Sequence, residues 1–273
     1  MPEGPEIRRA ADRVAKVLVG QSVLDVAFGL PALKRFECRL AGHTVTAVDT
    51  RGKAMLTRFD NGLTIYSHNQ LYGRWYTVRR PQLPATGRQL RLALHTATRS
   101  ALLYSASDIS VLTPAQLRKH PFLRKIGPDI LDSSLTPAAI VERLGEKRFR
   151  RRALGSLYLD QTFLAGLGNY LRTEILWAAG MDPWSAPAAH PARDLHRLAK
   201  HTLALPRRSY RTRGVVVTPS RANALRASGK PFEERRFHAF ARESLPCYAC
   251  GTKIERRAMG SRGIFVCASC QSL

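Results

Sequence analysis

The sequence predicts a multi-domain α+β protein, and three observations carry that prediction. Short segments of alternating or β-branched residues fill positions 23–112, helical spacing dominates the chain after them, and four of the five cysteines lie between positions 247 and 270. Taken in order, Ile7, Ala10, Ala11, Val14, Val17 and Leu18 recur at helical spacing opposite Arg8, Arg9, Asp12, Arg13 and Lys16, with Gly20 beyond the end. Pro5 suits a first turn, where its missing N–H goes unneeded. The segments TVTAVDT, AMLTRF, LTIYSH, RWYTV, QLRLALHT and SALLYSAS then read as strands separated by RGK, DNG and RPQLPATG turns. Strands this closely spaced predict an antiparallel sandwich or barrel. Prolines and a return to helical spacing place a domain boundary near Gly127 to Ser134. Helices are expected over AAIVERLGEK, ALGSLYLDQTFLAG, NYLRTEILWAAG and ARDLHRLAKHTLALP, and a loop from Val215 to Phe240.

Charge narrows the partner. The 273 residues carry 44 Lys+Arg against 20 Asp+Glu, a net charge of +24. Such a surplus favours a polyanion, because cations placed on phosphates release the counterions condensed there. The aromatic and apolar content is that of a packed enzyme rather than a charged tail. No apolar run approaches the ~20 residues that span a bilayer, and the acidic start is unlike a secretory signal. A reducing, cytosolic location is expected, with Cys38 a buried small apolar residue.

CYAC at 247–250 and CASC at 267–270 give C-x2-C, sixteen residues, C-x2-C. Two-residue spacing turns both thiolates of each knuckle toward one ion, so Cys247, Cys250, Cys267 and Cys270 are read as a closed, structural four-thiolate zinc site. The segment between them can fold as a β-hairpin presenting Lys253, Arg256, Arg257 and Arg262 to phosphates. In AGLGNYLRTEILW, two glycines precede Asn169, a natural N-cap, and a helix start of this kind can seat a phosphate. The KRFRRR run at 147–152 lies nearby in sequence.

Together, PEGPEI, RGKAML, YSHNQLYG, DQTFLAGLGNYLRTEILW and the terminal cysteine hairpin resemble the formamidopyrimidine-DNA glycosylase/endonuclease VIII family, and within it the endonuclease VIII branch. The resemblance runs from residue 2 to the last cysteine. It implies an N-terminal antiparallel β-sandwich flanked by helices (1–127), a helix–two-turn–helix domain (135–234) and a zinc-finger hairpin (235–273), with DNA between the first two. It also implies a monomer that acts on double-stranded DNA carrying damaged bases or abasic sites. Such a protein is associated with the bacterial nucleoid through DNA and has no membrane partner. Its activity would be that of a glycosidase and lyase of base excision repair.

The same resemblance assigns roles. Pro2, exposed as a secondary amine once Met1 is removed, would attack the sugar C1′. An α-amino group titrates at about 7.7–8.0 against about 10.4 for lysine, so far more of it is neutral at pH 7. Glu3 would be the general acid/base, with Glu6 one turn away facing the same pocket. Lys53 would donate a proton and touch phosphate during elimination, and Arg262 would grip the phosphate beside the lesion. Gln70, Leu71 and Tyr72 would fill the gap left by the turned-out nucleotide. Asn169 and Lys125 would bind phosphates of the damaged strand. Two positions depart from the family: Lys125 stands where arginine is common, losing a bidentate fork, and Gly263 follows Arg262 where Thr, Ser or Pro is usual, which could loosen the hairpin tip. The contiguous Gln-Leu-Tyr favours oxidised pyrimidines. Two readings remain as alternatives, an 8-oxoguanine and formamidopyrimidine glycosylase, and a non-catalytic zinc-ribbon nucleic-acid-binding protein.

Overall fold

The computed structural model describes residues 2–273. Met1, whose removal the proline chemistry requires, lies outside the described residues. The chain divides into two units, one running to Lys125 and the other from Ile126 to Leu273.

In the first unit, α1 (Gly4–Leu18) buries the six apolar residues of its predicted stripe and carries Pro5 in its first turn. It is followed by β1 (Asp25–Phe28), a 3₁₀ turn (Pro31–Phe36) and the one-turn α2 (Glu37–Leu40). Seven strands follow: β2 (Val45–Arg51), β3 (Ala54–Phe59), β4 (Thr64–His68), β5 (Arg74–Arg79), β6 (Leu90–His95), β7 (Arg99–Tyr104) and β8 (Asp108–Leu112). They form two four-stranded antiparallel sheets, ordered β1-β6-β7-β5 and β2-β3-β4-β8, so the open choice between sandwich and barrel resolves as two separate sheets. Helix α1 packs against strands of both sheets. Val14, Leu18, Met55, Trp75, Leu94 and Leu103 share one core cluster, each such burial contributing about 1.5–3 kcal/mol. The short helices α3 (Pro114–Lys119), capped by Thr113, and α4 (Pro121–Lys125) close the unit.

Two crossings between the sheets matter for the site. The chain leaves β4 for β5 through residues 69–73 and returns from β7 to β8 through residues 105–107. β4 and β8 are neighbours with His68 opposite Asp108, so both crossings depart from one end of the same ladder. Cys38, expected in the core, is exposed. Its one-turn helix buries Leu40 alone, and Cys38 faces away.

The second unit contains α5 (Pro137–Gly145), α6 (Leu154–Leu157), α7 (Asn169–Ala178), α8 (Ala192–Arg211) and α9 (Pro219–Ala227), then the hairpin β9 (Glu255–Met259) and β10 (Arg262–Val266). α8 packs against α5 and α7, and it runs on through Pro206, which is buried in its apolar face.

Two further expectations are corrected here. The helix foreseen over 153–166 is helical only at Leu154–Leu157. Asp160 accepts from the Thr162 amide at 2.8 Å, and Gly166 takes a φ of 99°, so the backbone turns instead. Its apolar residues Phe163, Leu164 and Leu167 are nevertheless fully buried, so the spacing that resembled a helix serves a packed turn. Within the expected loop 215–240, α9 forms, with Thr218 capping the Arg221 amide. α9 buries none of its residues, which is why it leaves no periodic apolar signal. The basic run at 147–152 is partly built into the fold. Phe149 is 1% exposed, and the Arg143, Arg148 and Arg152 guanidiniums lie over its ring. Arg148 and Arg152 also pair with Glu146 and Asp160.

Among the described residues, no helix is long and apolar enough to cross a membrane.

Candidate active site and metal centre

At the start of the first unit, Glu3 is the N-cap of α1 and is 2% exposed, a carboxylic acid held in the protein next to the half-buried Pro2. Its carbonyl accepts from the Ile7 amide at 3.0 Å, and its own amide donates to Glu6 Oε2 at 3.0 Å. Glu6 therefore fixes the backbone that carries Glu3 and Pro2. The positive end of the helix favours the negative form of a carboxylate placed there. Lys53 sits in the β2–β3 turn after Gly52, whose φ of 60° suits glycine, and is 8% exposed. Its charge reaches His68. Burial holds the His68 pKa below 6.5, offset in part by an upward pull from Asp108, and Lys53 adds a smaller downward push.

The crossing from β4 to β5 presents the second group of expected residues. Gln70, at φ 51°, donates its amide to His68 Nδ1 at 3.1 Å, and Gly73 donates to the Asn69 carbonyl at 2.7 Å. A Cβ on Gly73 would lie 2.5 Å from that same oxygen, so the loop closes this tightly only with glycine. Leu71 and Tyr72 at its tip are 55% and 69% exposed, rather than packed as a plain hairpin would pack them. Lys125 is exposed at the end of α4.

In the second unit, Asn169 is the first residue of α7, and Gly168 is the cap. The expected capping role is thus corrected. The Asn169 side chain instead donates to the Gly263 carbonyl at 3.1 Å and accepts from Arg172. Arg172, fully buried, also donates to the Gly263 and Gly155 carbonyls, both at 3.2 Å. The start of α7 and the hairpin strand bearing Arg262 are therefore clasped across 94 residues of sequence. Arg262 itself is exposed beside the hairpin turn at Gly260. Gly263 does not loosen this tip: it pairs with Ala258 in the ladder, and its missing side chain makes room for Arg256, whose Nε would lie 2.7 Å from a Cβ. A cavity of about 390 Å³ opens between Asn169, Arg256, Gly263 and Phe265. Of the hairpin cations, Arg257 is already engaged by Glu255 at 2.8 Å.

The two knuckles bring Cys247, Cys250, Cys267 and Cys270 together, all four Sγ atoms lying within 4.8 Å of one another. Individual separations are 3.8 Å (Cys247–Cys270), 3.4 Å (Cys250–Cys267) and 3.4 Å (Cys250–Cys270), too long for disulfides. A tetrahedral ion with bonds of about 2.3 Å spaces its sulfurs about 3.8 Å apart, so this donor set fits one. The Ala249 and Cys270 amides each point at a sulfur at 3.5 Å, support that favours thiolates. Hydrogen bonding from Thr252 pulls the Cys250 thiol down to about 6, while burial first pushes Cys267 and Cys270 up. A four-thiolate set leaves no open position, so the cluster is compatible with a structural ion.

Some residues escaped sequence reasoning. Glu174 is fully buried and accepts from the amides of His238, Ala239 and Phe240 at 2.8, 2.8 and 2.9 Å and from His238 Nδ1 at 2.9 Å. It ties α7 to the segment leading into the cysteine unit. The signal was present, since Arg172 and Glu174 are charges inside the apolar run NYLRTEILW, where a solvated charge has no place.

Residues 1–107 match the formamidopyrimidine-DNA glycosylase N-terminal domain, and residues 126–218 match the H2TH domain of the same glycosylases. The chain is 50% identical over 271 residues to an Endonuclease 8 of one Escherichia coli strain, covering 99% of this chain and 100% of the relative. It is 49% identical over 276 residues to that of another strain, with the same coverage. Among solved structures it is similar in fold to Lactococcus lactis Fpg bound non-covalently to DNA containing an AP site, with a TM-score of 0.80 at 20% identity over 99% of this chain and 100% of the other. Thermus thermophilus MutM gives 0.81 at 25% identity over 99% of each chain.

Proposed function

The chain belongs to the formamidopyrimidine-DNA glycosylase/endonuclease VIII family, and from that premise we propose that it excises oxidised pyrimidines from duplex DNA with Pro2 as the nucleophile. It is a bifunctional DNA glycosylase and AP lyase of base excision repair. The observation that carries the reading of its site is the buried Glu3 carboxyl beside Pro2 at a helix start whose backbone Glu6 pins. An acid at a helix start stabilises the helix in any protein; its burial beside the N-terminal Pro2 is what favours the catalytic reading.

The Pro2 nitrogen attacks C1′ of the turned-out nucleotide and its lone pair forms the new C–N bond, while the bond to the damaged base breaks and Glu3 manages the proton on the sugar side. Ring opening leaves an iminium between Pro2 and the sugar. The iminium acidifies the C2′ proton; its removal expels the 3′ phosphate by β-elimination, and a further proton loss expels the 5′ phosphate by δ-elimination. Lys53 supplies a proton to a leaving group and a positive charge to its phosphate. Arg262 grips the phosphate beside the lesion, and Asn169 and Lys125 hold the damaged strand through its phosphates. Gln70, Leu71 and Tyr72 enter the vacated stack. The exposure of Leu71 and Tyr72 supports that reading, and the 50% identity to Endonuclease 8 supports pyrimidine lesions over 8-oxoguanine.

We assign the four-thiolate site to one structural Zn²⁺ held by Cys247, Cys250, Cys267 and Cys270. Bound there, zinc supplies folding energy to the hairpin and takes no part in the reaction. Cys247→Ser is expected to lose the metal and DNA affinity together; metal retained at one per chain contradicts the assignment.

The function is tested with borohydride and duplexes containing thymine glycol, dihydrouracil or 8-oxoguanine. The wild type is expected to be trapped covalently through the Pro2 nitrogen and to cleave the pyrimidine lesions fastest. Preferred cleavage of 8-oxoguanine would overturn the pyrimidine assignment, and a trapped sugar mapping to any residue other than Pro2 would overturn the nucleophile.

A further inference from the structure

We propose that Ser107 is a positioning residue that fixes which end of the Gln70 amide faces DNA, so that the wedge loop engages the base opposite the lesion through donors alone. The proposal rests on the reading that Gln70, Leu71 and Tyr72 occupy the vacated stack. Ser107 Oγ donates to Gln70 Oε1 at 2.9 Å, joining residues 37 apart in sequence. The fold explains the meeting. β4 and β8 are neighbours with His68 opposite Asp108, so the residues just beyond the pair, the wedge loop after His68 and Ser107 before Asp108, leave the ladder side by side.

The rest of the loop is already pinned. The Gln70 amide N–H is held by His68 Nδ1 at 3.1 Å, and burial keeps that ring neutral and its nitrogen an acceptor. The Gly73 N–H closes on the Asn69 carbonyl at 2.7 Å, and the Arg88 guanidinium donates to the Tyr72 carbonyl at 2.6 Å. What remains adjustable is the side-chain amide of Gln70. An amide left to rotate presents either two donors or an acceptor. With its carbonyl occupied by the Ser107 hydroxyl, it presents Nε2 and two N–H donors. Every DNA base carries acceptor atoms, so a donor-only tip accommodates any opposite base while gaining nothing from an empty position. The pair thus registers that a base is present across from the lesion.

The test compares kcat/KM on dihydrouracil placed opposite guanine and opposite a tetrahydrofuran abasic analogue. The readout is the guanine-to-abasic ratio, which a general loss of folding does not move. Ser107→Ala is expected to lower this ratio by about threefold to tenfold, the worth of one net hydrogen bond, and Ser107→Thr, which keeps the hydroxyl, to restore it. Gln70→Leu sets the value of the ratio without an amide. If Gln70→Leu lowers the ratio and Ser107→Ala does not, or Ser107→Ala lowers both arms equally, the positioning role is overturned and the wedge reading stands. If Gln70→Leu leaves the wild-type ratio intact, the wedge reading of Gln70 is overturned and this proposal with it.

Discussion

The proposed reactive end of the first unit and the proposed gripping edge of the second are built on different principles. Pro2, Glu3 and Glu6 lie within one helical turn, and a reciprocal capping box, including a 3.0 Å bond from the Glu3 amide to the Glu6 carboxylate, orders them. The gripping edge joins Asn169 to Gly263 across 94 residues and routes through Arg172, fully buried, and a cysteine cluster. Covalent chemistry needs one nitrogen and one acid close together, which neighbouring residues supply at once. Holding a strand of DNA needs cations and donors spread over the length of several phosphates, which only tertiary structure assembles. The two regions should accordingly fail in different ways: the first by losing rate, the second by losing stability or affinity.

The largest effect that sharpens this contrast is expected at Glu174. Replacing it by Ala leaves the three backbone amides of residues 238–240 without their buried acceptor, and about 3–5 kcal/mol of stability should disappear. Denaturant unfolding measures this, and a loss under 1 kcal/mol would break the claim that this tether holds the edge together. Next, Lys53→Ala should slow strand cleavage by on the order of 100-fold while leaving metal content at one per chain. An undiminished single-turnover rate would remove Lys53 from the mechanism.

Asn169→Ala should weaken DNA binding by about tenfold, since it loses one arm of the clasp on Gly263 and the strand contact proposed for it, with single-turnover cleavage at saturating enzyme little changed. A change in rate without a change in affinity would blur the division between the regions. The smallest effect concerns His68. Its folded pKa lies below 6.5, so the neutral ring that accepts from Gln70 is favoured by folding. That contribution is present above the unfolded value and is lost as the pH falls through the lowered folded value. An NMR titration of the ring should therefore return a midpoint below 6.5, and a midpoint above it would contradict the contact.

The same contrast governs how much was legible in the sequence. The stripe Ile7 to Leu18 and the alternation in AMLTRF are written in adjacent residues, and α1 and β3 follow them closely. The cysteine spacing likewise prescribes a cluster that the fold assembles. Reading failed where the deciding partner is distant. The turn over 158–168 looks helical because Phe163, Leu164 and Leu167 are spaced for burial, yet Asp160 and Gln161 bend the backbone through bonds that spacing does not reveal. Asn169 reads as a cap until Gly263 and Arg172 claim its side chain. Helix α9 buries nothing and so writes no pattern, and Cys38 was assigned by the habits of its residue type rather than by its surroundings.

The central claim is that the Pro2 nitrogen forms the bond to the sugar. Peptide mapping by mass spectrometry of the borohydride-trapped complex tests it most directly. The predicted result is a sugar-bearing N-terminal peptide that begins at Pro2. An adduct on a lysine side chain such as Lys53, or a fully active enzyme that still carries Met1, would contradict it.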